Sequence, residues 1–168
     1  MEFILMQRKP GGYRKPTEEQ RELSKIDKKD FNTWFQQIWH ITGASTRIHP
    51  APFPLELGTR LVRMFSFHGD TVLDPFCGTG TTMIAAVRYG RNSIGIDIDP
   101  EYCRMAAGYL KKESSNLFFD TELIFEKMIL ENSGLLQVCE DQALYVYRVQ
   151  SLARKIKGLT EDKNAGKS

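Results

Sequence analysis

The chain has 168 residues, a length that fits one domain, and 41% of them are hydrophobic, enough for a core. Its 23 basic and 21 acidic residues leave a net charge of +2, which neither demands nor forbids a nucleic-acid partner. No apolar run approaches the roughly 18 residues of a membrane span, so no membrane partner is expected. Cys77, Cys103 and Cys139 are odd in number and lack metal-ligand spacing, which points to reduced thiols, a cytoplasmic protein and no metal site.

In chain order, Glu2 to Gln7 predicts a strand; its apolar part, Phe3-Ile4-Leu5-Met6, is too short for a signal peptide. Arg8 to Pro16 is a basic, turn-rich loop. It reads either as a phosphate-contacting loop, with Tyr13 available to stack on a base, or as an ordinary solvated loop. Thr17-x-x-Gln20 predicts a capping box for a short helix to Leu23. Asp27 predicts the cap of a second helix. Its Phe31, Trp34, Phe35, Ile38 and Trp39 recur at helical spacing, as a core face or as a docking face for a partner, with His40 at its end. Residues 42–53 read as irregular, and Pro50, Pro52 and Pro54 at alternate positions predict a rigid wall. Pro54 then opens a helix whose expected buried face is Leu57, Leu61, Met64 and Phe65, stopped by His68-Gly69-Asp70.

Thr71 to Leu73 is β-branched and apolar, the pattern of a buried strand, and Asp74-Pro75 ends it. Gly78 and Gly80 follow in a turn where the backbone can approach a ligand, and Thr81-Thr82 lead into the helical run Met83 to Val87. Tyr89-Gly90-Arg91-Asn92 predicts its C-cap and turn. Ser93 to Asp97 predicts the next strand, ending in a carboxylate. Gly78 to Asp97 spans 97 − 78 = 19 positions, close to the roughly 20 expected of an acid that grips a ribose diol. Strand, glycine turn and helix are the nucleotide-cofactor geometry of a doubly wound α/β sheet. The missing third glycine argues against a pyrophosphate ligand. Asp99 caps and Pro100 opens another helix, with Tyr102, Met105, Ala106, Tyr109 and Leu110 on one face and Lys111-Lys112-Glu113 at its end. Leu117 to Lys127 alternates partly and predicts a strand through Leu123-Ile124-Phe125. Beyond Glu131, Tyr145, Val149, Leu152 and Ile156 suit a helical stripe, and 157–168 reads as a polar, disordered tail.

Asp74-Pro75-Phe76-x-Gly78-x-Gly80-Thr81-Thr82 resembles the S-adenosylmethionine (SAM) motif of DNA amino-methyltransferases, which modify adenine N6 or cytosine N4. His49-Pro50-Ala51-Pro52-Phe53-Pro54 resembles the partner motif that precedes it in the family's beta order, where the catalytic half comes first. The resemblance covers roughly Phe3 to Lys127. It implies an α/β chain with a partial doubly wound Rossmann-like methyltransferase fold, the cofactor SAM and a DNA partner. Residues 1–16 would then be a strand and basic loop from the end of the catalytic half, 17–130 the SAM-binding region, and 131–168 a helical extension with its tail.

By the same resemblance, Thr46, His49 and Pro50 lie beside the methionine end of SAM, although His49 also suits a structural histidine. Asp74 pairs with the SAM ammonium directly or through water, or else caps a helix. Phe76, Gly78, Gly80 and Thr81 form the cofactor loop, Asp97 takes the ribose, and Ile98 flanks the adenine. Cys77, at the motif's variable position, reads as a small filler.

The family also uses an Asp, Asn or Ser followed by Pro-Pro and an aromatic, which steers the target amine and stacks on the flipped base. The seven prolines here, at 10, 16, 50, 52, 54, 75 and 100, include no adjacent pair, so no catalytic residue is assigned. The expectation is a C-terminal SAM-binding part of a site-specific DNA methyltransferase, completed by a second polypeptide with the catalytic half, or self-associating through an exposed sheet edge. An inactive remnant or a free-standing SAM-binding module is the alternative. A methyltransferase of small molecules or proteins is disfavoured by the His-Pro-Ala-Pro-Phe-Pro segment.

Overall fold

The computed structural model describes residues 3–44, 52–115, 120–129 and 143–152. Nine elements occur among them: α1 (Glu18–Leu23), α2 (Lys28–Trp34), α3 (Leu55–Phe65), β1 (Thr71–Asp74), α4 (Thr81–Arg88), β2 (Asn92–Asp97), α5 (Pro100–Ser115), β3 (Asp120–Ile129) and β4 (Ala143–Leu152). The sheet order is β1-β2-β4-β3. β1 pairs parallel with β2, placing Leu73 beside Ile94, and β4 runs antiparallel to both β2 and β3. This is the partial Rossmann-like α/β fold that the sequence predicts.

Local chemistry fixes the helix ends. The Thr17 hydroxyl accepts from the Gln20 amide at 3.1 Å while the Gln20 side chain accepts from the Thr17 amide at 3.2 Å, a complete capping box. Asp27 caps α2 through the Asp30 amide, and Asp99 caps α5 through the Glu101 amide. At the end of α4, Gly90 takes φ +70° and donates to the Val87 carbonyl, while Arg91 donates to Ala86. That is a Schellman closure, and a Cβ on Gly90 would also strike the His68 ring at 2.3 Å.

The core lies between α3, α4, α5 and the sheet. Met83, Ala85, Ala86 and Val87 of α4 are buried, as the apolar run predicts. On one side they meet Val62 and Val72; on the other they join Cys77, Cys103 and Leu110.

Several expectations are corrected, among them the buried strand read at Thr71 to Leu73: β1 is half exposed, with Leu73 59% exposed. Phe3 to Met6 form no ladder and are exposed, because a strand needs a neighbour for its peptide groups. The second helix ends at Trp34, not His40: the Trp39 indole donates to the Trp34 carbonyl at 2.7 Å, taking the acceptor that another helical turn would need. Of its predicted core face only Trp34 is buried, while Phe31, Phe35 and Ile38 stay about half exposed. In α3 the buried positions are Gly58, Arg60 and Val62, because the small Gly58 lets this helix approach Ala85 of α4, and Phe65 is exposed. Finally, the helical stripe predicted through Tyr145, Val149 and Leu152 is strand β4. The run is rich in Val and Tyr, and pairing with both β2 and β3 outweighs a helical spacing carried by few residues. In α5 the buried line shifts slightly, to Cys103, Ala106 and Leu110.

Arg91 ties this layer together. It is 1% exposed, and its guanidinium donates to the Ser66 carbonyl at 2.7 Å, the Tyr89 carbonyl at 2.6 Å and the Ser66 hydroxyl. It thereby closes the carboxyl ends of α3 and α4 with one cation. Desolvation, then the nearby Arg63 charge, lowers its pKa. Arg91→Leu should cost about 2–4 kcal/mol by leaving those carbonyls unpaired. Denaturant unfolding checks this, and a loss below about 0.5 kcal/mol would mean that water replaces the guanidinium.

Candidate functional site

The site is built on the β1–α4 turn and the end of β2. Cys77 donates its amide to the Ile96 carbonyl at 2.9 Å, so the loop after β1 folds back over β2. Gly78 (φ +49°) and Gly80 (φ +84°) let the chain reverse there. Gly80 sits where a Cβ would lie 3.0 Å from Ala106 of α5, and its carbonyl accepts from Ile84 to start α4. Gly95 does the same from below: a Cβ there would lie 2.3 Å from the Met83 sulfur and 3.0 Å from the Cys77 sulfur. The Gly-x-Asp pattern held the signal for Gly95, since only a missing side chain lets the loop lie on β2.

Asp97 is the fastener. One carboxylate oxygen accepts the Gly78 amide at 2.7 Å and the other accepts the Asp99 amide at 2.9 Å. Each oxygen thus spends one acceptor direction on backbone and keeps another for a hydroxyl donor. Asp74, at the end of β1, accepts the Phe76 amide at 3.1 Å, and Asp99 lies just beyond β2. Asp74 therefore stiffens the turn and does not cap α4, whose N-cap is Gly80. Phe76 is 87% and Ile98 52% exposed, presenting apolar area at the carboxyl ends of the two parallel strands. Thr81 is the first residue of α4. Three carboxylates with apolar neighbours suit a cationic ligand bearing hydroxyls and an aromatic ring; they do not suit a pyrophosphate.

Of the predicted site residues, the fold brings together Asp74, Phe76, Gly78, Gly80, Thr81, Asp97 and Ile98 at this one edge. Thr46, His49 and Pro50 lie outside the described residues. Among the described residues no cluster of His, Cys, Asp and Glu is arranged to hold a metal. The basic loop roots elsewhere: Arg14 pairs with Asp70, just before the opposite end of β1, and donates to Gln20 at 3.1 Å. Of the loop's cations Arg8, Lys9, Arg14 and Lys15, one is thus committed to the fold.

A family model of DNA methylases, the N6/N4 methyltransferases, matches residues 1–108. The chain belongs to the DNA methylase family. It is 45% identical over 112 residues to the type II methyltransferase M.MthZI of Methanothermobacter thermautotrophicus, covering 60% of this chain and 32% of that protein. It is 49% identical over 107 residues to M.MjaI of Methanocaldococcus jannaschii, covering 59% and 35%. A Thermus thermophilus protein described as a putative DNA modification methylase, solved with S-adenosyl-L-methionine, superposes with a TM-score of 0.59 at 54% identity. That match covers 66% of this chain and 43% of the solved one. The chain thus spans about a third of the length of the curated relatives it matches.

Cys77 packs in the core beneath this methylase loop, as the small-filler reading expects. Burial, then the neighbouring Cys103, Asp97 and Asp74, pushes its thiol up to about 12; burial, then Asp97 and Asp99, pushes Cys103 up to about 11. Neutral thiols are the buried form. Their contribution to stability is complete below the ordinary thiol pKa and is lost as the pH rises towards these values. Iodoacetamide at neutral pH should leave Cys77 and Cys103 unmodified in the folded chain and label both in denaturant, read by peptide mass spectrometry. Rapid labelling of the folded chain at Cys77 would place that thiol outside the core.

Proposed function

We propose that this chain is the SAM-binding part of a site-specific DNA amino-methyltransferase, acting on adenine N6 or cytosine N4 together with a second polypeptide that carries the catalytic half. The observation that carries the reading is the Asp97 carboxylate, held by the Gly78 and Asp99 amides with acceptor capacity left for a ribose. The residues present fit the cofactor. Gly78 and Gly80, at positive φ, turn the loop back towards β2, and Phe76 and Ile98 supply apolar area for an adenine. Asp74 is available to the cofactor's ammonium, and Thr81 opens α4 beside it. Thr46, His49 and Pro50 are assigned to the methionine end on the family motif.

SAM supplies an electrophilic methyl group. This chain's part in transfer is to orient it: Asp97 fixes the ribose, the glycine loop fixes the backbone around it, and Asp74 sets the amino-acid end. Transfer of this kind depends on in-line positioning, which the Gly78 and Asp99 amide hydrogen bonds to Asp97 make rigid. No Pro-Pro-aromatic stands in these 168 residues to steer a target amine. In this reading DNA is bound and flipped with the complementing half, in the cytoplasm.

The test is reconstitution. The part of the Thermus thermophilus methylase outside the matched stretch is made separately and mixed with this chain, radiolabelled SAM and DNA, and the modified nucleosides are separated. Label in N6-methyladenine or N4-methylcytosine only when both are present is the expected result and names the target base. No transfer from the mixture, with SAM still bound, would favour a cofactor-binding module without catalysis.

A further inference from the structure

The turn that carries the candidate site has two thiols behind it. The Gly80 amide donates to the Cys77 carbonyl at 2.7 Å, closing a tight turn over residues 77–80. This turn lies along the amino-terminal part of α5. A Cβ on Gly80 would stand 3.0 Å from the Ala106 Cβ and 3.5 Å from its Cα, so main chain meets main chain there with nothing between. One helical turn before Ala106 is Cys103, and at the other end of the 77–80 turn is Cys77. The two cysteines share one core cluster, and their thiols are in hydrogen-bond contact. Backbones this close at Gly80 and Ala106, with thiols touching at Cys77 and Cys103, suit a disulfide, whose Cα atoms stand about 4.4–6.8 Å apart.

We propose that Cys77 and Cys103 form a redox-modifiable pair, whose oxidation to a disulfide clamps the 77–80 turn to α5 and weakens cofactor binding. The inference rests on the proposed reading that this turn holds SAM. Gly78 lies inside the clamped turn, and its amide is one of the two that hold Asp97. Bonded sulfurs stand closer than two thiols in contact, so closing the pair draws Cys77 towards α5. α5 and β2 are regular elements, whereas the turn bends at Gly78 and Gly80, so the turn is what gives. The Gly78 amide then leaves Asp97, and the carboxylate loses part of the hold that aims it at a ribose. The oxidant is a small-molecule disulfide. Cys77, 5% exposed against none for Cys103, gives up its proton and attacks one sulfur of the reagent, releasing one thiolate. Cys103 then gives up its proton and attacks the Cys77 sulfur, releasing the second. Two protons and two electrons pass from the pair to the reagent, which leaves as two thiols. Burial first, and then the carboxylates around them, keep both thiols neutral, so the exchange is slow at neutral pH.

The test treats the full chain with oxidised glutathione in mildly alkaline buffer, with Cys139→Ser removing the third thiol. Peptide mass spectrometry should find residues 77 and 103 linked, and calorimetry should find SAM bound about tenfold more weakly, with full recovery on reduction. By linkage, saturating SAM should then shift the potential of the pair by about 30 mV in favour of the dithiol. Cys103→Ala should show the same SAM affinity before and after treatment; Cys103→Ser serves if the alanine variant does not fold. Mixed disulfides with glutathione and no 77–103 link would overturn the pair. A 77–103 link with unchanged SAM affinity would overturn its effect on the cofactor. Loss of binding together with the circular-dichroism signal of the folded chain would make the linkage a lesion and overturn the clamp. Failure of the reduced natural chain to bind SAM would instead defeat the functional reading itself.

Discussion

The hydrogen bond from the Gly78 amide to the Asp97 carboxylate, 2.7 Å long, joins the two parts of the chain on which the site depends. It runs from a turn after β1 to the end of β2 and spans the same 19 positions that the sequence spacing singled out. A carboxylate accepting two backbone amides is held without side-chain freedom, and the loop is held with it. Everything else around it serves the same closeness. Gly95 clears the space under the loop, Gly80 clears it against Ala106, and Cys77 fills what remains as a buried thiol.

The legible parts of the fold were those where one residue type solves one backbone problem. Thr17 with Gln20, Asp27, Asp99 and Gly90 each marked an end that the structure keeps. The β1–loop–α4–β2 unit was legible because glycine at positive φ and a terminal carboxylate leave few alternatives. The misread parts depend on partners distant in sequence. The run 143–152 carries both a weak helical spacing and β-forming residues, and pairing to β2 and β3 decides between them. Phe3 to Met6 has strand composition but no strand beside it in the described structure. α2 stops where an indole from Trp39 takes a carbonyl, a contact no periodicity announces. The buried face of α3 turns on Gly58, which a search for large apolar residues passes over.

The same distinction governs function. The glycine loop and the Asp97 carboxylate form a compact motif that folds locally. α3 packs on α4 beside a cavity lined by Phe53, Leu61, Phe65 and Val72 among others. Arg14, drawn to Asp70, shows that a basic loop is not automatically a nucleic-acid contact.

The most direct measurement is calorimetric titration of SAM into the natural chain and into Asp97→Ala. The account predicts one site per chain, weakened by about 1–3 kcal/mol when the carboxylate is removed. Equal affinity in a folded Asp97→Ala chain, or no binding by the natural one, would contradict it.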